Sequence, residues 1–143
     1  VLITNHADIA QRFQTRSAQL HLTRNNVFGL AAFEAAYRHG ERWLDEFLAL
    51  ISDNIDILHQ GLPSEVGLIS PEGTYLAWLD LRQLGLDVSA IPAWLASAAG
   101  LALSPGHWFG REGAGFARMT VAAPSTIVER AVTQLAAAAE HRL

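Results

Sequence analysis

Apolar residues recur along the chain with two different periods, and the changes between them mark out the elements. The run Val1-Leu2-Ile3-Thr4 is short and continuously apolar, the pattern of a buried strand. Asn5 with Asp8 three residues on reads as a helix start, and Ile9 and Phe13 continue at helical spacing. The stretch LHLTRNN (20–26) is polar and turn-like. A second helix is predicted from Val27 to His39, stopped by Gly40 in a natural C′ position. The strongest helical signal runs from Glu41 to His59, where Trp43, Phe47, Leu50, Ile51 and Leu58 keep to one face, and Gly61-Leu62-Pro63 ends it.

Shorter signals follow. EVGLIS (65–70) reads as a strand, Pro71-Glu72-Gly73 as a turn, and TYLAWLDLR (74–82) as a second strand. Tyr75, Ala77, Leu79 and Leu81 share one face of it, with Thr74, Leu76, Trp78, Asp80 and Arg82 on the other. Apolar residues on both faces predict a central strand covered twice. LGLDVSA (84–90) is a loop in which Asp87 or Ser89 caps a helix reaching Ala99, closed by Gly100. LALSPGHWFGREGAG (101–115) is glycine-rich and irregular. A strand is predicted over Phe116–Ala122, and Pro124 with the Thr126/Glu129 capping-box spacing begins a last helix reaching His141. Helices packed on a small sheet follow, an α/β or α+β fold with one compact unit and a leading appendage.

Composition narrows the chemistry. The 143 residues are 50% hydrophobic, enough for one real core, with four Trp and six Phe pointing to apolar surface that serves an interface. The net charge of −4 gives no basic footprint for nucleic acid or an anionic membrane. Cysteine is absent, which removes disulfides, thiol catalysis and zinc–thiolate sites together. No apolar run reaches the roughly 18 residues of a membrane helix, and no signal-peptide pattern opens the chain, so a cytoplasmic protein is expected. All ten basic residues are arginine. The start on Val1-Leu2-Ile3-Thr4, without an initiator methionine, reads as a strand cut from a larger sheet.

Most candidate sites dissolve on inspection. The six histidines are scattered, without the i,i+4 spacing of a helical zinc pair, so no metal site is expected. Ser104-Pro105-Gly106-His107 is a turn rather than a nucleophile elbow. GREGAG precedes a strand, whereas a phosphate-cradling loop joins a strand to a helix. Asp45/Glu46 and Asp53/Asp56 fall on the polar face of the long helix. Arg118 is different. Alternation puts it with Phe116 and Thr120 on one face of its strand, against Ala117, Met119 and Val121 on the other. One reading is a plain edge-strand arginine; a guanidinium removed from water instead needs an anionic partner, either a protein acid such as Asp80 or a planar carboxylate ligand held by two parallel hydrogen bonds.

Three segments, NVFGLAAFEAAYRHGERWLDEFL (26–48), PEGTYLAWLDLRQLGL (71–86) and ALSPGHWFGREGAGFARMTVAAP (102–124), resemble in order and separation the C-terminal portion of the pyridoxal-phosphate-dependent aminotransferases of classes I and II, most closely the cystathionine β-lyase-like C–S lyase branch. The resemblance implies a large cofactor-holding domain, a small C-terminal domain and a homodimer with its sites at the subunit boundary. It assigns 1–35 to the tail of the large domain and 36–143 to the small domain. It gives Arg118 the α-carboxylate of an amino-acid substrate, and brings the TRNN loop, with Asn25 or Asn26, toward the neighbouring subunit's site. The cofactor-bearing lysine of such enzymes has no counterpart here, since the chain contains no lysine. The expectation is therefore a C-terminal segment of a pyridoxal-phosphate enzyme that holds the substrate and does not carry out the chemistry itself. Where the branch often has Asn and Cys-Pro-Arg after this arginine, Thr120 and Ala123-Pro124-Ser125 stand here, so β-elimination and transamination both stay open. The competing expectation is an autonomous non-catalytic α/β module that binds a carboxylate ligand or a protein partner.

Overall fold

The computed structural model describes residues 2–22 and 26–141. Its residues divide into two compact units, one up to Trp43 and one from Leu44 onward. The first holds α1 (Ala7–Gln19) and α2 (Val27–His39), and neither helix buries a residue. The strand expected over Val1–Thr4 is not found at Leu2–Thr4, and Val1 lies outside the described residues. A strand is defined by the neighbour it hydrogen-bonds to, and no described segment pairs with this run; Ile3 is 91% exposed. The N-cap of α1 is His6 rather than Asn5, and no side chain caps the helix. α2 begins and ends where the pattern placed it, with the Asn26 Oδ1 accepting from the Phe28 and Gly29 amides at 2.9 and 3.4 Å.

The second unit is built on an antiparallel sheet. α3 (Glu41–Gly61) leads into β1 (Gly67–Ile69) and β2 (Leu76–Asp80); then come α4 (Ile91–Ser97), β3 (Ser104–Pro105), β4 (Phe116–Thr120) and α5 (Ser125–Glu140). The strand order is β1-β2-β4-β3. β2 is central, as its apolar content predicted, but its two faces differ. Ala77 and Leu79 are buried, while Leu76, Trp78 and Asp80 are only partly covered. The expectation of a strand covered twice is therefore corrected to a strand packed on one face. Within this unit Leu58 of α3, Ile91 and Leu95 of α4, and Val128, Val132 and Leu135 of α5 join Ala77, Leu79, Ala117 and Met119 in one core on the inner face.

The period of α5 explains its position. Val128, Ala131, Val132, Leu135 and Ala138 return at three- and four-residue steps and form its buried stripe. A fully buried leucine such as Leu135 contributes on the order of 2–3 kcal/mol of apolar transfer. The expected Thr126/Glu129 capping box does not form, because Pro124 occupies the N-cap and Thr126 is already inside the helix. Likewise α4 begins at Ile91 after Ala90, and Asp87 instead accepts from the Ser89 amide and hydroxyl in the preceding loop.

α3 is tied to the end of β4 by a polar contact inside this core. The Asn54 Nδ2 donates to the carbonyls of Val121 and Ala123, each at 2.8 Å, from a side chain with no exposed surface. These carbonyls lie where the chain leaves the sheet and turns into α5, beyond the reach of ladder hydrogen bonds. Pro124 follows directly and donates nothing. Asn54 supplies the donors that the backbone lacks there.

Candidate functional site

The register of the sheet sets the surroundings of Arg118. On β4 it lies opposite Trp78 of β2 on one side and Ser104 of β3 on the other. Its strand neighbours Ala117 and Met119 are buried, and Arg118 itself is half-buried on the outer face with Phe116, as alternation predicted. Ser104 lies on a two-residue strand, which corrects the reading of Ser104–His107 as a plain turn. So short a strand has no periodicity of its own and exists only because β4 offers an edge to pair with.

The protein acid considered as a partner for Arg118 is engaged elsewhere. Asp80 accepts from Arg82 Nε at 2.9 Å and Nη2 at 2.7 Å, and from the Arg82 backbone amide at 3.0 Å. The Arg82 side-chain hydrogen bonds hold the Asp80 carboxyl below the usual carboxylate range, against the opposing effect of its burial. Among the described residues no carboxylate lies within ion-pair distance of Arg118. Its guanidinium has one polar contact, an Nη2 donating to the Ser104 hydroxyl at the long distance of 3.5 Å. Its Cζ lies over the Phe109 ring, 4.4 Å from the centroid. Most of its five N–H donors are therefore open.

They open beside a cleft of about 310 Å³ whose wall includes Leu76, Leu103, Ser104, Arg118, Thr120 and Ile127. The cleft is apolar apart from two hydroxyls and the guanidinium. This donor set suits a small carboxylate with an apolar body: two parallel N–H···O bonds from Arg118, with the remainder of the ligand against aliphatic side chains. Of the other residues named from sequence, Asn26 spends its Oδ1 on the N-cap of α2, and Asn25 lies outside the described residues. Among the described residues no cluster of three or more His, Asp or Glu side chains is placed to hold a metal ion.

Two contributors escaped sequence reasoning. Phe109 sits in a segment read as irregular, and Trp78 was placed only on a strand face. Together they form a stack on the outer sheet face. Trp78 meets Phe109 edge-on and Phe116 nearly parallel, both at 5.7 Å between centroids, and Arg82 covers Phe116 at 4.7 Å. Their partners come from β2, β4 and the 106–109 turn, so no local spacing signals the arrangement.

A small antiparallel sheet backed by helices is the architecture of the C-terminal portion of class I and II pyridoxal-phosphate-dependent aminotransferases, and this chain matches that portion. Within that family its relatives belong to the cystathionine β-lyase-like, C–S lyase branch. The chain is 36% identical over 118 residues to the protein MalY of Escherichia coli, covering 80% of this chain and 30% of the relative. It is 30% identical over 116 residues to the cystathionine β-lyase PatB of Bacillus subtilis, covering 79% and 30%. Among solved structures, a pyridoxal-phosphate-bound putative aminotransferase from Clostridium difficile superposes with a TM-score of 0.86 at 31% identity, covering 96% of this chain and 36% of that one. Cystalysin from Treponema denticola, which contains pyridoxal 5′-phosphate, gives 0.82 at 31% identity over 97% and 36%. No family model matches the chain. The chain thus spans about a third of the length of the proteins it matches. Among the described residues no helix is long and apolar enough to cross a membrane.

Proposed function

We propose that this chain is the substrate-gripping part of a pyridoxal-phosphate-dependent C–S lyase or aminotransferase acting on an amino acid, and that Arg118 binds the substrate α-carboxylate. The observation that carries the reading is the half-buried Arg118 guanidinium, which no carboxylate among the described residues neutralises and which borders an apolar cleft. The relatives and superposable structures supply the reaction class. Residues 1–35 then form the tail of the large domain and 36–143 the small domain, although contacts divide the chain later, after Trp43. A cytoplasmic homodimer goes with the same reading.

The chain's own residues do not fit the cofactor's anchoring chemistry. With no lysine in the sequence, no side chain here can condense with an aldehyde carbon. Arg118 contributes its guanidinium at one end of the cleft, Ser104 and Thr120 add hydroxyls, and the aliphatic wall offers apolar contact to the body of the ligand.

The test is Arg118→Lys in the enzyme that carries this chain. A point charge cannot reproduce two parallel hydrogen bonds, so the KM for the amino acid rises by about 10- to 100-fold, with a smaller change in kcat. An amine lacking the carboxylate should show no such difference between the two proteins. Unchanged kinetics with the amino acid would overturn the assignment.

A further inference from the structure

Arg118 carries a long, four-carbon side chain on the less covered face of a sheet, and 3.5 Å to a single hydroxyl does not fix its orientation. Left to itself, such a side chain samples many rotamers, and a ligand must order it on binding. The structure contains a second device aimed at the same group. Between β3 and β4 the chain folds into two short 3-10 turns, 106–109 and 111–113, whose ends are drawn together by two buried glycines. A Cβ on Gly106 would overlap the Gly113 carbonyl oxygen and lie 2.8 Å from that of Phe116, and a Cβ on Gly113 would overlap the Gly106 carbonyl. Only a pair of glycines lets the two backbone strands approach this closely. The loop thus closed carries Phe109 over the Arg118 guanidinium at 4.4 Å, and Trp78 supports the Phe109 ring edge-on at 5.7 Å.

We infer that Phe109, held by the Gly106–Gly113 closure and by Trp78, is a positioning residue that orients Arg118 for its carboxylate ligand; the inference rests on the reading of Arg118 given above. The geometry is compatible with ligand binding, because with its Cζ over the Phe109 ring and a single long hydrogen bond to Ser104 the guanidinium keeps most of its N–H donors for a carboxylate. A cation–π contact at a partly exposed site corresponds to roughly a three- to tenfold effect on an equilibrium. Phe109 acts on affinity through Arg118 and leaves the reacting atoms untouched.

Two measurements test this. In the enzyme carrying this chain, Phe109→Leu should raise KM for the amino acid roughly three- to tenfold with kcat within about twofold, and Phe109→Tyr should restore it. Adding Phe109→Leu to Arg118→Lys should change little further, since the residue to be oriented is already lost. If Arg118→Lys weakens binding but Phe109→Leu does not, the inference is overturned and the carboxylate role of Arg118 stands. If neither substitution has an effect, the carboxylate role fails and the inference falls with it. The second measurement needs no turnover: in this chain labelled with 15N-arginine, the Arg118 Nε should be rigid on the nanosecond scale, with its proton shifted by the Phe109 ring, and Phe109→Leu should give it the mobile signature of the exposed Arg130. An Arg118 Nε equally mobile with and without the ring overturns the inference.

Discussion

Replacing Asn54 tests how the site-bearing strand is joined to the helical layer. Its two 2.8 Å hydrogen bonds hold the Val121 and Ala123 carbonyls at the corner between β4 and α5, and its own Oδ1 is buried without a partner. Each amide-to-carbonyl bond contributes about 1 kcal/mol net, and a buried carbonyl left without a donor costs about 1–3 kcal/mol. Removing the unpartnered Oδ1 returns about 1 kcal/mol on the same scale. Asn54→Ala should therefore destabilise the second unit by about 1–5 kcal/mol, at roughly 4–8 °C in Tm per kcal/mol for a unit of this size. Asn54→Leu makes the sharper test, because it keeps the branched four-heavy-atom skeleton and adds apolar surface while still orphaning the two carbonyls. If packing dominates, Asn54→Leu is as stable as the parent; if the donors dominate, it loses about as much as Asn54→Ala. The assay is urea unfolding followed by tryptophan fluorescence and far-UV circular dichroism, with coincident transitions required before a free energy is extracted. A leucine variant of parental stability would refute the claim that Asn54 is there for its hydrogen bonds.

Other outcomes follow from the same contacts. Asp80 has a depressed folded-state pKa, so the stability it draws from Arg82 is present above its unfolded pKa of about 3.9 and is lost as pH falls through the folded value. Asp80→Asn should accordingly lower Tm at pH 7, and the difference should shrink as pH falls below about 3.9, as a pH series of melts will show. Gly106→Ala forces the 106–113 closure apart and should cost about 1–3 kcal/mol by the same unfolding assay, while also mobilising Arg118 in the arginine 15N spectrum. Leu135→Ala, at a fully buried position on α5, should cost about 2–5 kcal/mol.

Periodicity alone located most of the elements. α2 and α3 begin where the helical pattern puts them, because long amphipathic repeats and Gly40 as a stop are local signals. The grouping of Arg118 with Phe116 and Thr120 on one strand face was equally legible, since alternation along a strand fixes which side chains share a face whatever the strand packs against. Motif order was enough to point to the C-terminal portion of pyridoxal-phosphate enzymes, and the absence of lysine limited what this chain can do within one. Tertiary structure decided what no window of sequence contains. The Leu2–Thr4 run has strand composition but no described partner, and strand formation requires one. β3 exists through its pairing with β4, and Asn54 matters through carbonyls nearly seventy residues away along the chain. The partner of Arg118 was undecided between Asp80 and a ligand until the fold showed Asp80 bound by Arg82, its neighbour two residues on. That proximity makes the local pair easy to form and leaves Arg118, opposite Trp78 and under Phe109, with its donors open.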